Sequence, residues 1–286
     1  MRTLPAWARP VDTGNAATSN GRIRGIIAVP AGVGGGVLFV PIVGSLFPFH
    51  LDFVRGAGLL LALSGALSAG PSLLRGGLAS LRLAMPLALA GSIGAIAGAF
   101  LGLAMPTRVL QLSLGIVVLA IAALMWATRH AGETLARTPD RWAEALGLSG
   151  RYPEASQGTI VAWTVHRTPA GLAAFAVIGV IGGMFGLGAG WANVPALTLL
   201  MGLPLKLAVG TSGLTMSIMN TSAAWVYLNE GALLPILHVP SILGVMLGAR
   251  FGVRLLKRID AQTARYIIIA VLLIAGGRSL LQGFGI

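Results

Sequence analysis

Eight apolar stretches, at roughly 23–47, 52–74, 78–103, 106–127, 169–201, 204–228, 231–256 and 261–283, constrain this chain more than any other feature. A helix rises about 1.5 Å per residue and the hydrocarbon core of a bilayer is about 30 Å thick, so each stretch is long enough for one crossing. Only 10% of the residues are charged and the mean hydropathy is +0.86, whereas a soluble domain carries about 25% charge. The expected fold is therefore an all-α polytopic membrane protein of about eight transmembrane helices.

The balance of charge supports the same reading. Against 8 acidic residues stand 20 Lys and Arg, a formal net charge of +12. In a soluble protein that excess would point to nucleic acid. Here most of the basic residues lie between apolar stretches, where they meet lipid headgroups, so the expected partners are lipids and not nucleic acid. Trp126, Trp225, Tyr227 and Tyr266 lie near stretch ends, at the depth amphipathic rings prefer. Cysteine is absent, which excludes disulfides, thiolate metal sites and thiol catalysis.

Residues 1–22 hold three arginines and no continuous apolar core of a cleaved signal, and read as a flexible tail. Residues 128–168 are polar and read as a linker, with a short interfacial helix around Asp140–Leu148. Between them and beyond lie two membrane units, 23–127 and 169–286.

These units match one another. A shift of 154 positions superposes Gly25 on Gly179, Gly32 on Gly186, Gly34 on Gly188, Gly36 on Gly190, Gly56 on Gly210, Gly77 on Gly231, Gly94 on Gly248 and Gly98 on Gly252, with Pro41 on Pro195 and Pro86 on Pro240. Residues 23–119 contain 17 glycines and 177–273 contain 13, so chance gives 17 × 13 / 97, about 2.3 Gly matches, against eight observed. Two homologous four-segment repeats follow, an architecture common among secondary transporters, with the substrate site between the halves near the midplane.

In each half the first stretch is interrupted: Gly32-Val33-Gly34-Gly35-Gly36 leads to Pro41, and Gly186-Leu187-Gly188-Ala189-Gly190 leads to Asn193 and Pro195. Glycine weakens a helix and proline removes one of its hydrogen bonds, so a break is expected at both places. Broken backbone at membrane depth survives only against protein or a water-filled cavity. The first amides of a half-helix form a positive, anion-binding end, so two breaks facing one another make a pocket for a small oxyanion. The competing explanation is close helix packing, which the Gly94/Gly98 and Gly248/Gly252 pairs fit better.

These motifs, with Ala208-Val209-Gly210-Thr211-Ser212 downstream, resemble the TauE/SafE sulfite-exporter family over residues 23–283. The resemblance implies a transporter of small sulfur oxyanions or organosulfonates in the bacterial inner membrane, working by alternating access, with no cofactor; a homo-oligomer is compatible with it. The second copy has Ala189 where three consecutive glycines are usual, and the first half reads Arg55-Gly56-Ala57-Gly58 where Gly-Thr-Ser is expected. The substrate-binding candidates are Gly34, Gly35, Gly36, Pro41, Arg55, Gly188, Ala189, Gly190, Asn193, Pro195, Thr211 and Ser212.

Arg55 is a candidate because a guanidinium pairs with sulfur oxyanions, although its place near a stretch end also suits snorkelling to the interface. Thr211, Ser212, Thr215, Ser217, Asn220, Thr221 and Ser222 crowd one helix, where hydroxyls and amides serve either as donors to an anion or as links between helices. His50, His238 and Glu230 lie near stretch ends, which gives a proton relay little support. Gly147-Leu148-Ser149-Gly150 matches an intramembrane-protease motif but falls in the polar linker, so no enzyme is expected. Another transported metabolite, or a membrane scaffold or sensor, is the alternative. With all stretches crossing and the N-terminus inside, Lys and Arg divide 12 inside to 8 outside; with re-entrant first stretches and inverted halves they divide 13 to 7, with the N-terminus outside.

Overall fold

Helix α3 (Leu81–Ala104) begins where Ser80 turns its hydroxyl back to accept the Leu83 N–H at 3.4 Å, and ends before Pro106. The computed structural model describes residues 36–46, 50–75, 77–127, 139–154, 159–233 and 261–285. Around α3 the described helices are α1 (Gly36–Leu46), α2 (Leu51–Arg75), α4 (Thr107–Ala127), α5 (Arg141–Ala145), α6 (Thr168–Phe185), α7 (Gly190–Pro195, continued by a π-helical turn at Ala196–Leu200), α8 (Leu205–Asn229) and α9 (Ala261–Phe284). Three of these, α3, α4 and α6, are long and apolar enough to cross a membrane. The expected tail and the seventh apolar stretch, with His238 and Gly248/Gly252, lie almost wholly outside the described residues.

The linker departs from the all-α expectation. After α5, capped by Asp140, comes an antiparallel hairpin of β1 (Ser149–Glu154) and β2 (Thr159–Thr164) in which Gly150 pairs with Trp163. The buried indole of Trp163 lies against Gly150, so an aromatic ring covers the face that glycine leaves bare. Trp163 also joins Leu148, Ala143 and Val165 in the same core cluster as Leu83 and Phe175, which fastens the linker to the helices. Ser149 is exposed at the start of β1.

Glycines draw α3 and α6 together. A methyl group at Gly94 or Gly98 would collide with the carbonyl oxygen of Ala176 or Val180, and one at Gly179 or Gly183 with that of Gly91 or Ala95. The pairs advance in the same direction along both helices, so α3 and α6 run parallel with backbones in contact, as the packing explanation expects of Gly94/Gly98.

Chain directions follow from the remaining contacts. The Ser80 N–H donates to Thr211 Oγ1 at 3.2 Å near the start of α8, whereas Arg55 near the start of α2 lies 5.5 Å from the Tyr227 ring near the end of α8. Helices α2 and α8 are therefore antiparallel. So are α4 and α9, because Arg108 Nε donates to Gly283 O at 2.9 Å and the Trp126 and Tyr266 rings are 5.8 Å apart. Helices α2 and α8 start at Leu51 and Leu205, α4 and α9 at Thr107 and Ala261, and α1 and α7 at Gly36 and Gly190, each pair 154 positions apart.

The fifth apolar stretch is a hairpin and not one crossing. The His166 N–H, just before α6, donates to Met201 O at 3.2 Å, just after the π-helical turn. Eighteen residues of α6 span about 27 Å, and the chain then breaks and returns to the face from which it started. With α8 leaving from that same linker face, the hairpin matches the re-entrant option of the sequence reading.

Candidate functional site

The break occupies Gly186–Ala189. Gly186 ends α6 at φ 67° and Gly188 follows at φ 69°, a left-handed conformation that costs an L residue with a side chain about 1–2 kcal/mol. Sequence reading gave Pro195 a share in this break. The structure puts Pro195 inside α7, six residues beyond it, where the π-helical turn at Ala196–Leu200 follows the hydrogen bond that proline cannot make. Pro41 likewise lies inside α1 and is buried.

Breaking α6 frees carbonyls at its C-terminus, and two side chains take them up. Tyr227 Oη donates to Gly183 O at 3.0 Å and Met184 O at 3.2 Å, and Arg55 Nη1 donates to Met184 O at 2.8 Å. Arg55 is fully buried, its other terminal nitrogen paired with the Asp52 carboxylate, which in turn meets exposed His50. Arg55 therefore does not snorkel: its charge lies at the negative end of a helix, where a cation is stabilised. Tyr227, expected at the headgroup level, is wholly buried within the protein, whereas Trp126, Trp225 and Tyr266 are exposed. At Gly102 a methyl group would come within 2.5 Å of Arg55 Nη1, so glycine makes room for the guanidinium.

On the other side of the break α7 starts without a side-chain cap. Ala189 is its N-cap, and the N–H groups of Ala192 and Asn193 return to Ala189 O at 3.2 and 3.0 Å. The N–H groups of Gly190 and Trp191 come before that first intrahelical bond, at the positive end of the helix. Leu187 to Gly190 are all buried. Gly188 faces α2 at Ala62 and α8 at Asn220, near the middle of both helices, with the Ala62 methyl 2.9 Å and Asn220 Nδ2 3.4 Å from where a Cβ would stand.

The first half reaches the same place. A Cβ on Gly36, the first residue of α1, would lie 2.8 Å from Leu187 O and from Gly58 O. The start of α1 and the second break are thus in contact. Gly34 and Gly35 lie outside the described residues.

The amide of Asn220, which faces Gly188, has an unpartnered Nδ2, and both amide atoms of Asn193 and Trp191 Nε1 in α7, Oγ of Ser212 near the start of α8 and Nε of Arg55 in α2 are likewise buried without partners. An unmet buried donor or acceptor costs about 1–3 kcal/mol. Thr211 differs from its neighbour, because its hydroxyl oxygen accepts the Ser80 N–H and so joins α8 to the start of α3. Asn220 and Trp191 are absent from the sequence-derived site. Asn220 was legible as an amide two turns beyond Ser212 in an apolar helix, whereas nothing in the sequence marks the indole of Trp191 as unpartnered. Arg82 and Glu230 are exposed at helix ends, and among the described residues no group of His, Asp and Glu is arranged to hold a metal.

Long apolar helices around a buried break that carries an unmet amide donor are features of a helical membrane protein. Comparison with known proteins carries this from class to family. The chain belongs to the sulfite exporter TauE/SafE family, whose model matches residues 21–279. The probable membrane transporter protein YunE of Bacillus subtilis (strain 168) is 26% identical over 118 residues, 41% of this chain and 43% of that protein, so the match spans less than half of the relative's length. No solved structure matches the chain.

Proposed function

We propose that the protein exports small sulfur-containing anions, sulfite or organosulfonates, across the bacterial inner membrane by alternating access between two inverted halves. The observation that supports this most strongly is the uncapped start of α7 at a buried break, with the unpartnered amide nitrogen of Asn220 facing Gly188. An anion there meets the positive end of a helix and neutral donors, which together replace its hydration shell.

The substrate pocket is built from both breaks: Gly34, Gly35, Gly36 and Pro41 of the first half, and Gly188, Ala189, Gly190, Asn193 and Pro195 of the second, with Thr211 and Ser212 from α8 and Arg55 holding the end of α6. The antiparallel course of helices that begin 154 positions apart supports an inverted duplication of 23–127 and 169–286, joined by 128–168. With inverted halves Lys and Arg divide 13 to 7 in favour of the linker face, which makes that face cytoplasmic. Outward movement of an anion then gains about 2.3 kcal/mol per charge per 100 mV of inside-negative potential, without a proton relay.

Flux of radiolabelled sulfite into proteoliposomes, compared with sulfate, phosphate and chloride, tests the reading. Protein-dependent sulfite flux that exceeds the others supports it. Preference for another anion transfers the site to a different substrate, and no flux of any anion supports a scaffold or sensor.

A further inference from the structure

Helix α2 begins at a histidine that meets two partners with one nitrogen. The His50 main-chain oxygen accepts the Phe53 N–H at 3.1 Å, which makes His50 the N-cap, and its Nδ1 accepts the Asp52 N–H at 3.4 Å. The same Nδ1 lies 3.3 Å from Asp52 Oδ2. A nitrogen that accepts the N–H carries no proton, and one that donates to the carboxylate carries one, so the two contacts exclude each other. This imidazole is exposed, and imidazole is the side-chain group that ordinarily changes charge between about pH 5 and 8.

Behind it the other carboxylate oxygen, Asp52 Oδ1, pairs with Arg55 Nη2. Arg55 is fully buried, its Nε has no partner, and Asp52 is the one carboxylate against it among the described residues. Asp52 therefore balances the charge that holds Met184 O at the end of α6, beside the Tyr227 ring. The backbones meet at the same level, since a methyl group at Gly186 would collide with Arg55 O and one at Gly58 with Gly186 O. Because α2 runs antiparallel to α8, its start lies at the face opposite the linker. The shift of 154 sets His50, Asp52 and Arg55 against Pro204, Lys206 and Val209, and Tyr227 against Leu73, so one half alone carries this arrangement.

We infer that His50, Asp52 and Arg55 form a proton-operated latch that fastens α2 to the end of α6, and that acid at the face opposite the linker releases it. A carboxylate shared with Arg55 holds a protonated His50 less well than one freed from Arg55, so by linkage protonation favours the freed arrangement. Protonation also removes the cap on the Asp52 N–H and puts a cation at the start of a helix. The ion pair gained in return is exposed, and exposed pairs contribute little. The described contacts of His50 are with Asp52 and the Phe53 ring, 6.1 Å away; of the elements around it, α1 carries no titratable side chain, Glu230 ends α8, and Arg108 and Arg278 lie on α4 and α9, Arg108 turned to Gly283 O. Resting on the transport reading above, release lets the break open to the outer face in the outward step of export.

Single thiols at Val54 and Ala57, buried residues on either side of Arg55 in a chain without cysteine, report the latch. Their labelling by a membrane-impermeant reagent, relative to a thiol at exposed Gly231, is followed in the full-length protein in nanodiscs from about pH 8 to about pH 5. The ratio is expected to rise at least about fivefold on acidification, the lower end of the usual coupling between two sites. His50→Asn keeps a capping acceptor and takes up no proton, so it loses that rise, whereas Asp52→Asn labels readily at every pH. In proteoliposomes with one orientation, flux of ethanesulfonate, whose charge is constant over this range, rises by a similar factor when the face opposite the linker is acidified. Labelling that does not respond to pH in the unmodified protein, or responds equally in His50→Asn, overturns the inference whatever the flux. Flux that ignores the pH of that face, or follows the linker face instead, also overturns it. Labelling that responds while neither ethanesulfonate nor sulfite moves keeps the latch and overturns the transport reading.

Discussion

Arg55 Nη1 donates to the carbonyl oxygen of Met184 across 129 positions of sequence, at 2.8 Å and with no exposure of the guanidinium. The same oxygen accepts the Tyr227 hydroxyl, so α2 and α8 close the end of the broken helix together. Hydrogen bonds from a charged donor contribute about 1.5–3 kcal/mol and neutral ones about 1 kcal/mol. Arg55→Met is therefore expected to lower the melting temperature in detergent more than Tyr227→Phe. The double variant should lose less than the sum of the two, because both donors act on one carbonyl. Additive losses would show that the two act independently.

The glycines of α3 divide from those of α2 in what they tolerate. Gly94→Ala and Gly98→Ala push a methyl group into the backbone of α6 and are expected to cost about 1–3 kcal/mol each, read as lower thermal stability and yield. Gly65 in α2 has nothing within 4 Å of where a methyl group would stand, so Gly65→Ala should be neutral or stabilising by up to about 1 kcal/mol. The reverse ranking would refute the parallel contact of α3 with α6.

Asp140 binds two elements at once. Its carboxylate accepts the Ala143 N–H at 3.2 Å, the Thr168 N–H at 3.0 Å and the Thr168 hydroxyl at 2.7 Å, so one side chain caps α5 and holds the start of α6. Burial pushes this carboxyl up, but the bonds from Thr168 and Ala143 together outweigh that and hold it below the usual value of 3.8. The folded state thus binds this proton less readily than the unfolded chain does. Its contribution is complete above the ordinary carboxylate range and is lost as the pH falls through the lowered value. Asp140→Asn should be less stable near neutral pH, and the difference from the unmodified protein should shrink on acidification. A difference independent of pH would argue against the carboxylate form.

The absence of cysteine makes sidedness measurable with single introduced thiols. The contact of His166 with Met201 puts both ends of the α6–α7 hairpin on the linker face. Cysteines at Ser149 and Lys206 are expected to react from one side of the membrane, and those at Gly231 and Gly285 from the other. Labelling of Ser149 and Lys206 from opposite sides would make the fifth stretch a full crossing and the hairpin wrong.

Apolar length and the glycine register made the helices and the break of the second half legible, because both are properties of a few residues in sequence. The role of Arg55 was not, since its partner Met184 is a backbone oxygen released only when α6 ends at Gly186. Pro195 attracted the break in the sequence because proline opposes helices on average, but here the two left-handed glycines take the bend and the proline lies in a helix that accommodates it with a π-helical turn. The β-hairpin was overlooked because hydropathy sorts segments by membrane affinity. Thr159-Ile160-Val161-Ala162-Trp163-Thr164, rich in β-branched and aromatic residues, did carry its signal. Tyr227 looked like an interfacial ring because its distance along the chain from a helix end says nothing about which face it occupies.

The central claim is that the break at Gly188 exists to present main-chain amides and neighbouring donors to an anion. Sulfite flux in proteoliposomes carrying Gly188→Leu measures it most directly, with Gly213→Leu, where a Cβ would meet nothing within 4 Å, as the reference. The expected result is flux at the protein-free background for Gly188→Leu and near the unmodified rate for Gly213→Leu, with both proteins inserted in equal amounts. Undiminished flux through correctly inserted Gly188→Leu would contradict the account.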